Sequence, residues 1–453
     1  MPRTGSRYLC YIRPSGSYHE LNRVVSRPLI RATSSRPVEL SARGRCSLVR
    51  GYTTQSLQAF AAQRPIVLRD ACFCSQCVDP STKQREFNYV DIPTDISVRS
   101  LQQDPDTGTW TATWSNDIPG LEDHVSIFQD SLLRQLIDHV AFDVGWDLSI
   151  WDQRKFAAET KDMDYNSLLT DSSTLTLALE LIQKHGLVFV TNIPKDEEAV
   201  KHIVTRLCGL YRNTFYGESW NVRSVPQAKN VAYTSKILGF HMDLLYMKEP
   251  PGVQLLHCLE NTCSGGESQF ADTFRAVDIL EQEHPEHAQI LRDHQVQYGY
   301  DNDDQSYACS RPVIQMGHWQ DRPTRRVTGA GIPDMIERLD CTFWSPPFLK
   351  SIRPAQQRSA HRERSEAAAC DSMELVEASR AFAEIMQRPE SIYETKLPAG
   401  TCAVFDNLRV VHARKAFDMN SGKRWLKGIY GDRQDMLSQS LKFIKPRPVH
   451  EKQ

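Results

Sequence analysis

Apolar and polar positions change their rhythm along the chain, and each change predicts an element. PIVLRDACFCSQC (65–77) opens on a short apolar run, which reads as a strand leading into a tight cysteine turn. NYVDIP (88–93) and GTWTATWSN (108–116) alternate apolar and polar residues, the period-2 signature of half-buried strands. The turn formers of DPDTG (104–108) separate them. VSIFQDSLLRQLIDHV (125–140) carries an apolar stripe near the helical period. Together these predict a small β-rich module over 53–140, closed by a helix. Residues 141–172 are polar with interspersed Trp, and read as a linker.

A second domain is expected over 173–445. SSTLTLALELIQKHG (172–186) has the Ser/Thr start and Gly stop of a helix. GLVFVTNIP (186–194) reads as a buried strand, and DEEAVKHIVTRLCGLY (196–211) as another amphipathic helix. From about 230 strand-like runs dominate: NVAYTS, GVQLLHCLE, ESQFADT, VQYGY, PVIQM, TCAVFDN and WLKGIYG. One helical insert is expected near 367–388, and the polar run 358–366 reads as a surface loop. Many short strands with one helix insert predict a mainly β fold with some α, a sandwich or jelly roll.

Composition adds little to this picture, except at the N-terminus. The chain has 453 residues, 40% hydrophobic and 24% charged, with a formal net charge of −2. Nothing in that balance calls for a nucleic-acid partner. No apolar run approaches the ~20 residues of a membrane-spanning helix. Residues 1–52 differ: Arg3, Arg7, Arg13, Arg23, Arg27, Arg31, Arg36, Arg43, Arg45 and Arg50 face only Glu20 and Glu39, with frequent Ser. That is the profile of a mitochondrial presequence, which predicts the matrix. The alternative is a basic, disordered tail without an address, which leaves the protein cytoplasmic.

The chemistry concentrates in separated motifs. GFHMDLLY (239–246) holds His241 and Asp243 two residues apart, a spacing that places both on one face of a strand. H-x-D alone is a weak signal. FDNLRVVHARKAF (405–417) adds His412 and Arg414, and Arg424 follows in KRWLKGIYGD. Two His and one carboxylate leave three positions open on an octahedral Fe(II). A bidentate 2-oxo acid and O₂ fill those positions. A downstream Arg then suits the far carboxylate of 2-oxoglutarate, with which its fork pairs bidentately. Near the N-terminus, Cys72, Cys74 and Cys77 place three thiols within one short turn. Tetrahedral Zn²⁺ needs a fourth ligand, for which His124 is the first choice and Asp79 and Glu122 are alternatives.

H-x-D, PPGVQLLHCLENTCSGGES, FDNLRVVHAR and the Arg of RWLKGIYGD, in that order, resemble the γ-butyrobetaine/trimethyllysine dioxygenases of the taurine-dioxygenase superfamily. The resemblance spans about 65–440. It implies a double-stranded β-helix (jelly roll) catalytic domain and oxidative decarboxylation of 2-oxoglutarate to succinate, coupled to hydroxylation of a substrate. It implies Fe(II) on His241, Asp243 and His412, with ascorbate as reductant. Ser268 and Arg424 would hold the 2-oxoglutarate carboxylate, with Leu256 and Arg414 in the same pocket. It assigns Tyr216, Trp220, Tyr233 and Tyr430 to a trimethylammonium cage, with Asn230 nearby. The N-terminal L-R-D-x-C-x-C-x-x-C with a later His matches a structural zinc module in the same family. A homodimer is implied as well.

The expected reaction is hydroxylation of γ-butyrobetaine to L-carnitine, a step of carnitine biosynthesis. Trimethyllysine is the nearest alternative substrate. One departure favours a third, an unrelated small metabolite: DCTFWSPPFLKS (340–351) lacks the Asn that the butyrobetaine enzymes place against the substrate carboxylate. From other classes, a non-catalytic betaine- or metal-binding module and a metal-dependent hydrolase remain as rivals. A hydrolase needs neither the Arg nor the oxo-acid pocket.

Overall fold

The computed structural model describes residues 54–130, 146–223, 234–302, 304–317, 339–351 and 372–443, with short pieces at 132–133, 136, 325–327 and 336. The Arg-rich leader, the 358–366 run, Asn230 and Tyr233 lie outside the described residues.

Two stacked sheets with helices on their outer faces position the site. The larger sheet has six strands, in the order Asp162–Asp164, Leu187–Thr191, Thr401–Asp406, Val253–Asn261, Arg424–Gly431 and Ser219–Val222. The smaller has four, in the order Tyr393–Thr395, Ser268–Asp272, Val410–Arg414 and Leu238–His241. Strand alternation decides which residues face which layer. Val188, Val190, Cys402, Val404, Val253 and Leu255 pack against the helices Ser172–His185 and Ala199–Cys208. Their neighbours Leu187, Phe189, Ala403 and Phe405 point the other way and meet Phe270 and Val410 of the smaller sheet. The smaller sheet turns Phe240, Ala271, Val411 and Ala413 outward to the helices Thr273–Glu283, Pro285–Asp293 and Ser372–Gln387.

The helix Ser172–His185 shows why these elements form. Asp171 accepts hydrogen bonds from the backbone of Ser173 and Thr174, a cap worth about 1 kcal/mol. Leu175, Ala178, Leu179 and Ile182 supply the buried stripe. Gly186 ends the helix at φ 74°, in the left-handed region open to glycine.

Several expectations are corrected. Residues 65–70 form a short helix, not a strand: Pro65 takes the first helical position, where its missing N–H costs nothing. Tyr89–Asp91 is a single 3₁₀ turn. Residues 125–140 do not begin as a helix: Val125–Phe128 is a strand paired with Trp110–Ser115, and helix begins only at about Asp130. Residues 141–172 are not a bare linker. Trp146–Leu148 and Asp162–Asp164 are strands, and Gln153–Glu159 and Tyr165–Thr170 are helices. They are tied in by buried polar contacts. Trp151 Nε1 donates to His185 O at 2.6 Å, and Arg409 donates to Ser149 O at 2.7 Å and to Asp272 at 2.8 Å. Thr273–Glu283 and Pro285–Asp293 add two helices beyond the expected insert. Helices and strands therefore occupy comparable shares of the described residues, so the fold is mixed α/β with many strands and not mainly β.

Candidate active site

The inner faces of the two sheets line an open pocket of about 540 Å³, counting the space open to solvent, with His241, Asp243, His412, Gln254, Leu256, Ser268, Arg414, Arg424 and Trp220 in its wall together with apolar side chains. Strand register assembles it. His412 is directly opposite His241 across two antiparallel strands, which brings their rings to 4.1 Å between centroids. The strand ends at His241, so Asp243 does not reach the site by strand alternation, as its spacing had suggested. It sits on a turn in which Leu244 takes φ 60°. Met242, between the two ligand candidates, is fully buried in the outer core.

The donor set fits a metal ion. One donor atom each from His241, Asp243 and His412 lie within 4.8 Å of one another. His241 Nδ1 is 2.9 Å from Gly239 O. A carbonyl can only accept, so the proton sits on Nδ1 and the Nε2 lone pair is free. That Nε2 lies 3.5 Å from Asp243 Oδ1. Burial pushes His412 down to about 3, leaving the neutral imidazole that ligates metals. Burial acts to raise the Asp243 carboxyl, but the His241 and His412 rings hold it below the usual carboxylate range.

Arg414 and Arg424, in the same lining, suit a carboxylate. Arg414 is buried and donates to the carbonyls of Thr234 and Lys236, each at 2.7 Å. Burial, then the neighbouring Arg424, lowers Arg414 to about 10. Burial also lowers Arg424, whose Nε has no hydrogen-bond partner. No carboxylate pairs with Arg424 among the described residues. Two crowded, poorly solvated guanidiniums are relieved by a carboxylate ligand. Ser268, directly opposite Arg414 in the register, and Leu256 line the same space.

The aromatic residues are brought together in part. Trp220 lies 6.2 Å from Tyr216 and stacks on Tyr430 at 4.1 Å between centroids. Gly428 makes room for this stack, since a Cβ there would meet the Trp220 ring at 2.3 Å. Sequence reasoning missed the rest of the aromatic surface. Phe215 and Tyr246 pack with Tyr300, Tyr307 and Phe348 at 5.1–6.3 Å. It also missed Gln254 and Asn407, which contact Asp243 directly. The only signal for Gln254 was its position two residues before Leu256 on one strand face.

A second cluster lies in the N-terminal module. His124 Nε2 is 3.5, 3.2 and 3.3 Å from the sulfurs of Cys72, Cys74 and Cys77. Such spacings suit ligands of one tetrahedral ion. His124 Nδ1 lies 3.3 Å from Asp117, whose other oxygen accepts from Arg69 Nε at 2.6 Å. Burial, then the repulsion of Cys72, pushes Cys77 up to about 12, a cost that a cation would remove. Neither alternative fourth ligand joins the cluster. Asp79 caps the turn at Ser81 and Thr82, and Glu122 accepts from Gly120 N.

The chain belongs to the taurine catabolism dioxygenase TauD, TfdA family, which matches residues 151–430. It is a 2-oxoglutarate-dependent dioxygenase, and the family implies iron and 2-oxoglutarate. Dioxygenase str8 of Strobilurus tenacellus is 32% identical over 385 residues, covering 80% of this chain and 81% of that protein. A gamma-butyrobetaine dioxygenase of Pseudomonas sp. (strain AK-1) is 28% identical, covering 83% of this chain and 88% of its own. A trimethyllysine dioxygenase of Meyerozyma guilliermondii is 26% identical, covering 85% and 91%. The resemblance read from the motifs is thereby borne out. No helix among the described residues is long and apolar enough to cross a membrane.

Proposed function

We propose that the chain hydroxylates a small trimethylammonium substrate, with γ-butyrobetaine as the leading candidate and L-carnitine as its product. The observation that carries the reading is the convergence of a His/Asp/His donor set, the buried Arg414 and the half-buried Arg424 in one pocket beside a stacked aromatic pair. In this reading the two sheets form a double-stranded β-helix. His241, Asp243 and His412 hold Fe(II). Arg424 takes the far carboxylate of 2-oxoglutarate, flanked by Arg414, Ser268 and Leu256. The bound iron and oxo acid together supply oxidative decarboxylation of 2-oxoglutarate coupled to hydroxylation. The protein's part is to orient both partners and to exclude water from the apolar cavity between the sheets.

Tyr216 and Trp220 offer ring faces to a quaternary ammonium, each contact worth ~0.5–2 kcal/mol. Tyr430 lends the pocket a ring face; the family resemblance assigns Tyr233 and Asn230 to the same pocket, and both lie outside the described residues. Cys72, Cys74, Cys77 and His124 hold a structural zinc. The Arg-rich leader supports a mitochondrial location, in line with a human relative named "Trimethyllysine dioxygenase, mitochondrial".

A second reading has its own support. The identity to Dioxygenase str8 exceeds that to the butyrobetaine enzymes, and the 340–351 segment is aromatic, with Phe343, Trp344 and Phe348. In this reading the same chemistry serves a different small metabolite.

The test is an incubation with Fe(II), ascorbate, O₂ and 2-oxoglutarate, following succinate. Stimulation by γ-butyrobetaine with carnitine formed is the expected result. Stimulation by trimethyllysine alone moves the substrate assignment. Slow succinate formation that neither compound stimulates favours the second reading, and no succinate with iron bound removes the oxygenase assignment of this cavity.

A further inference from the structure

Of His241, Asp243 and His412, Asp243 alone is not on a strand, and its side chain is 21% exposed. A carboxylate on a turn has two free torsions, so something must aim it. Asn407, fully buried, fixes the backbone. Its Oδ1 accepts from Asp243 N at 2.9 Å, and its Nδ2 donates to Asp243 O and Pro251 O, each at 3.0 Å. Two further groups fix the carboxylate itself. Gln254 Nε2 donates to Asp243 Oδ2 at 2.7 Å, and the Tyr430 hydroxyl donates to the same oxygen at 2.8 Å. Gln254 and Tyr430 are direct partners across two antiparallel strands, so the sheet register itself converges both donors on one point.

The division of labour between the two oxygens is informative. Oδ2 is occupied by two donors. Oδ1 carries neither of these hydrogen bonds and lies 3.5 Å from His241 Nε2, on the side of the other donors. Tyr430 is thus more than an aromatic wall. Its ring stacks on Trp220, while its hydroxyl is spent on Asp243. A residue serving only a cation cage would need the ring and not the hydroxyl.

We infer that Tyr430 and Gln254 are positioning residues for the metal-binding carboxylate, holding Asp243 Oδ2 so that Oδ1 alone is presented to the ion. This rests on the iron reading of His241, Asp243 and His412. Outer partners of this kind typically set metal affinity by about 10–100-fold.

The experiment titrates the full chain, freed of iron but with the cysteine cluster left loaded, with Mn(II) and reads binding from the loss of the free-ion resonance. Mn(II) prefers oxygen and nitrogen donors to thiolates, so the cysteine cluster does not compete. Tyr430→Phe keeps the ring stack and deletes the hydroxyl. It is expected to weaken Mn(II) binding about tenfold or more and to alter the spectrum of the bound ion, with the iron-free melting temperature unchanged. Gln254→Met, close in size and without the donor, is expected to do the same, and decides the matter if the tyrosine variant does not fold. Variants that bind Mn(II) as tightly as the parent, with the same spectrum, would overturn the inference. A parent chain that binds no Mn(II) would instead overturn the iron reading on which the inference rests.

Discussion

The two candidate metal centres are built on opposite plans. The Cys72, Cys74, Cys77 and His124 cluster brings four protein donors together, three of them buried, and braces the imidazole with Asp117 and Arg69. The His241, Asp243 and His412 cluster brings three donors to a pocket whose lining also holds the cationic Arg414 and Arg424. Four converging donors leave no room for a reactant, which is the plan of a site that holds a fold together. Three donors and an adjoining space leave room for an oxo acid and oxygen. The contrast also follows from size. The N-terminal module is near the ~70–80 residues below which a core alone supplies little stability, so it has more to gain from a metal staple. Its core is a single cluster around Trp110, Trp114 and Phe128, whereas the catalytic portion rests on three clusters, two of them larger than that one.

The sharpest way to break the comparison is to remove one donor from each centre. Asp243→Ala is expected to cut turnover by ~10³-fold or more while leaving the melting temperature nearly unchanged, because the several kcal/mol lost are those of the metal chemistry. An active Asp243→Ala enzyme would end the assignment. Cys74→Ser is expected to act in the reverse sense. Stability should fall by several kcal/mol and zinc content should drop, both measured on the purified chain. Unchanged melting and unchanged zinc would mean that the cysteine cluster is not a metal site.

Arg424→Ala sharpens the catalytic side. Loss of a buried ion-pair partner costs about 2–5 kcal/mol, so the KM for 2-oxoglutarate should rise roughly 30-fold or more. Steady-state kinetics at saturating primary substrate would show it.

Acid should weaken the catalytic portion through its buried neutral histidines. Burial lowers His185 and His257 from 6.5 to about 4, and both lie in the catalytic portion. A base whose pKa is depressed in the folded state binds its proton more readily when unfolded. Their contribution is therefore complete above pH 6.5 and is lost as pH falls toward 4, by up to ~3 kcal/mol for each group. Denaturant titrations of the catalytic portion across that window should show a falling midpoint, and a flat one would contradict the buried neutral state. The smallest expected effect is Gly428→Ala. The added methyl should displace Trp220 and raise the substrate KM by about two- to thirtyfold, since one cation–π contact is worth ~0.5–2 kcal/mol.

The legible parts of the site are those written in local spacing. Cys72, Cys74 and Cys77 lie on one turn, and strand alternation alone aligns Leu256 with Gln254 and Arg424 with Leu426. The illegible parts depend on contacts between distant segments. From the sequence Tyr430 is expected only as a ring of the cation cage, and the register that places it beside Gln254 shows where its hydroxyl goes. Residues 65–70 read as a strand because Ile-Val-Leu favours β structure, and the packing of Leu68 into the module core, with Pro65 at the helix start, overrides that propensity. Residues 141–172 look like a linker because their apolar positions are sparse. Their anchors are single buried groups, such as Trp151 and the carbonyl of Ser149, and these follow no period.

The sequence by itself determined the chemistry available to this protein: two His and an Asp, two Arg in reach of them, and a Cys₃His set, in an order that marks a 2-oxoglutarate-dependent dioxygenase. Residue type supplies the donors, because ligand chemistry is a property of side chains, and the resemblance of the ordered motifs to a known family marks the class. Only the tertiary structure decided how the donors are aimed. The sheet register brings Tyr430 and Gln254 onto one oxygen of Asp243, and Asn407 reaches across from a distant strand end to hold its backbone. Aiming is a matter of fractions of an ångström, and it is set by pairings between segments that the local pattern does not encode.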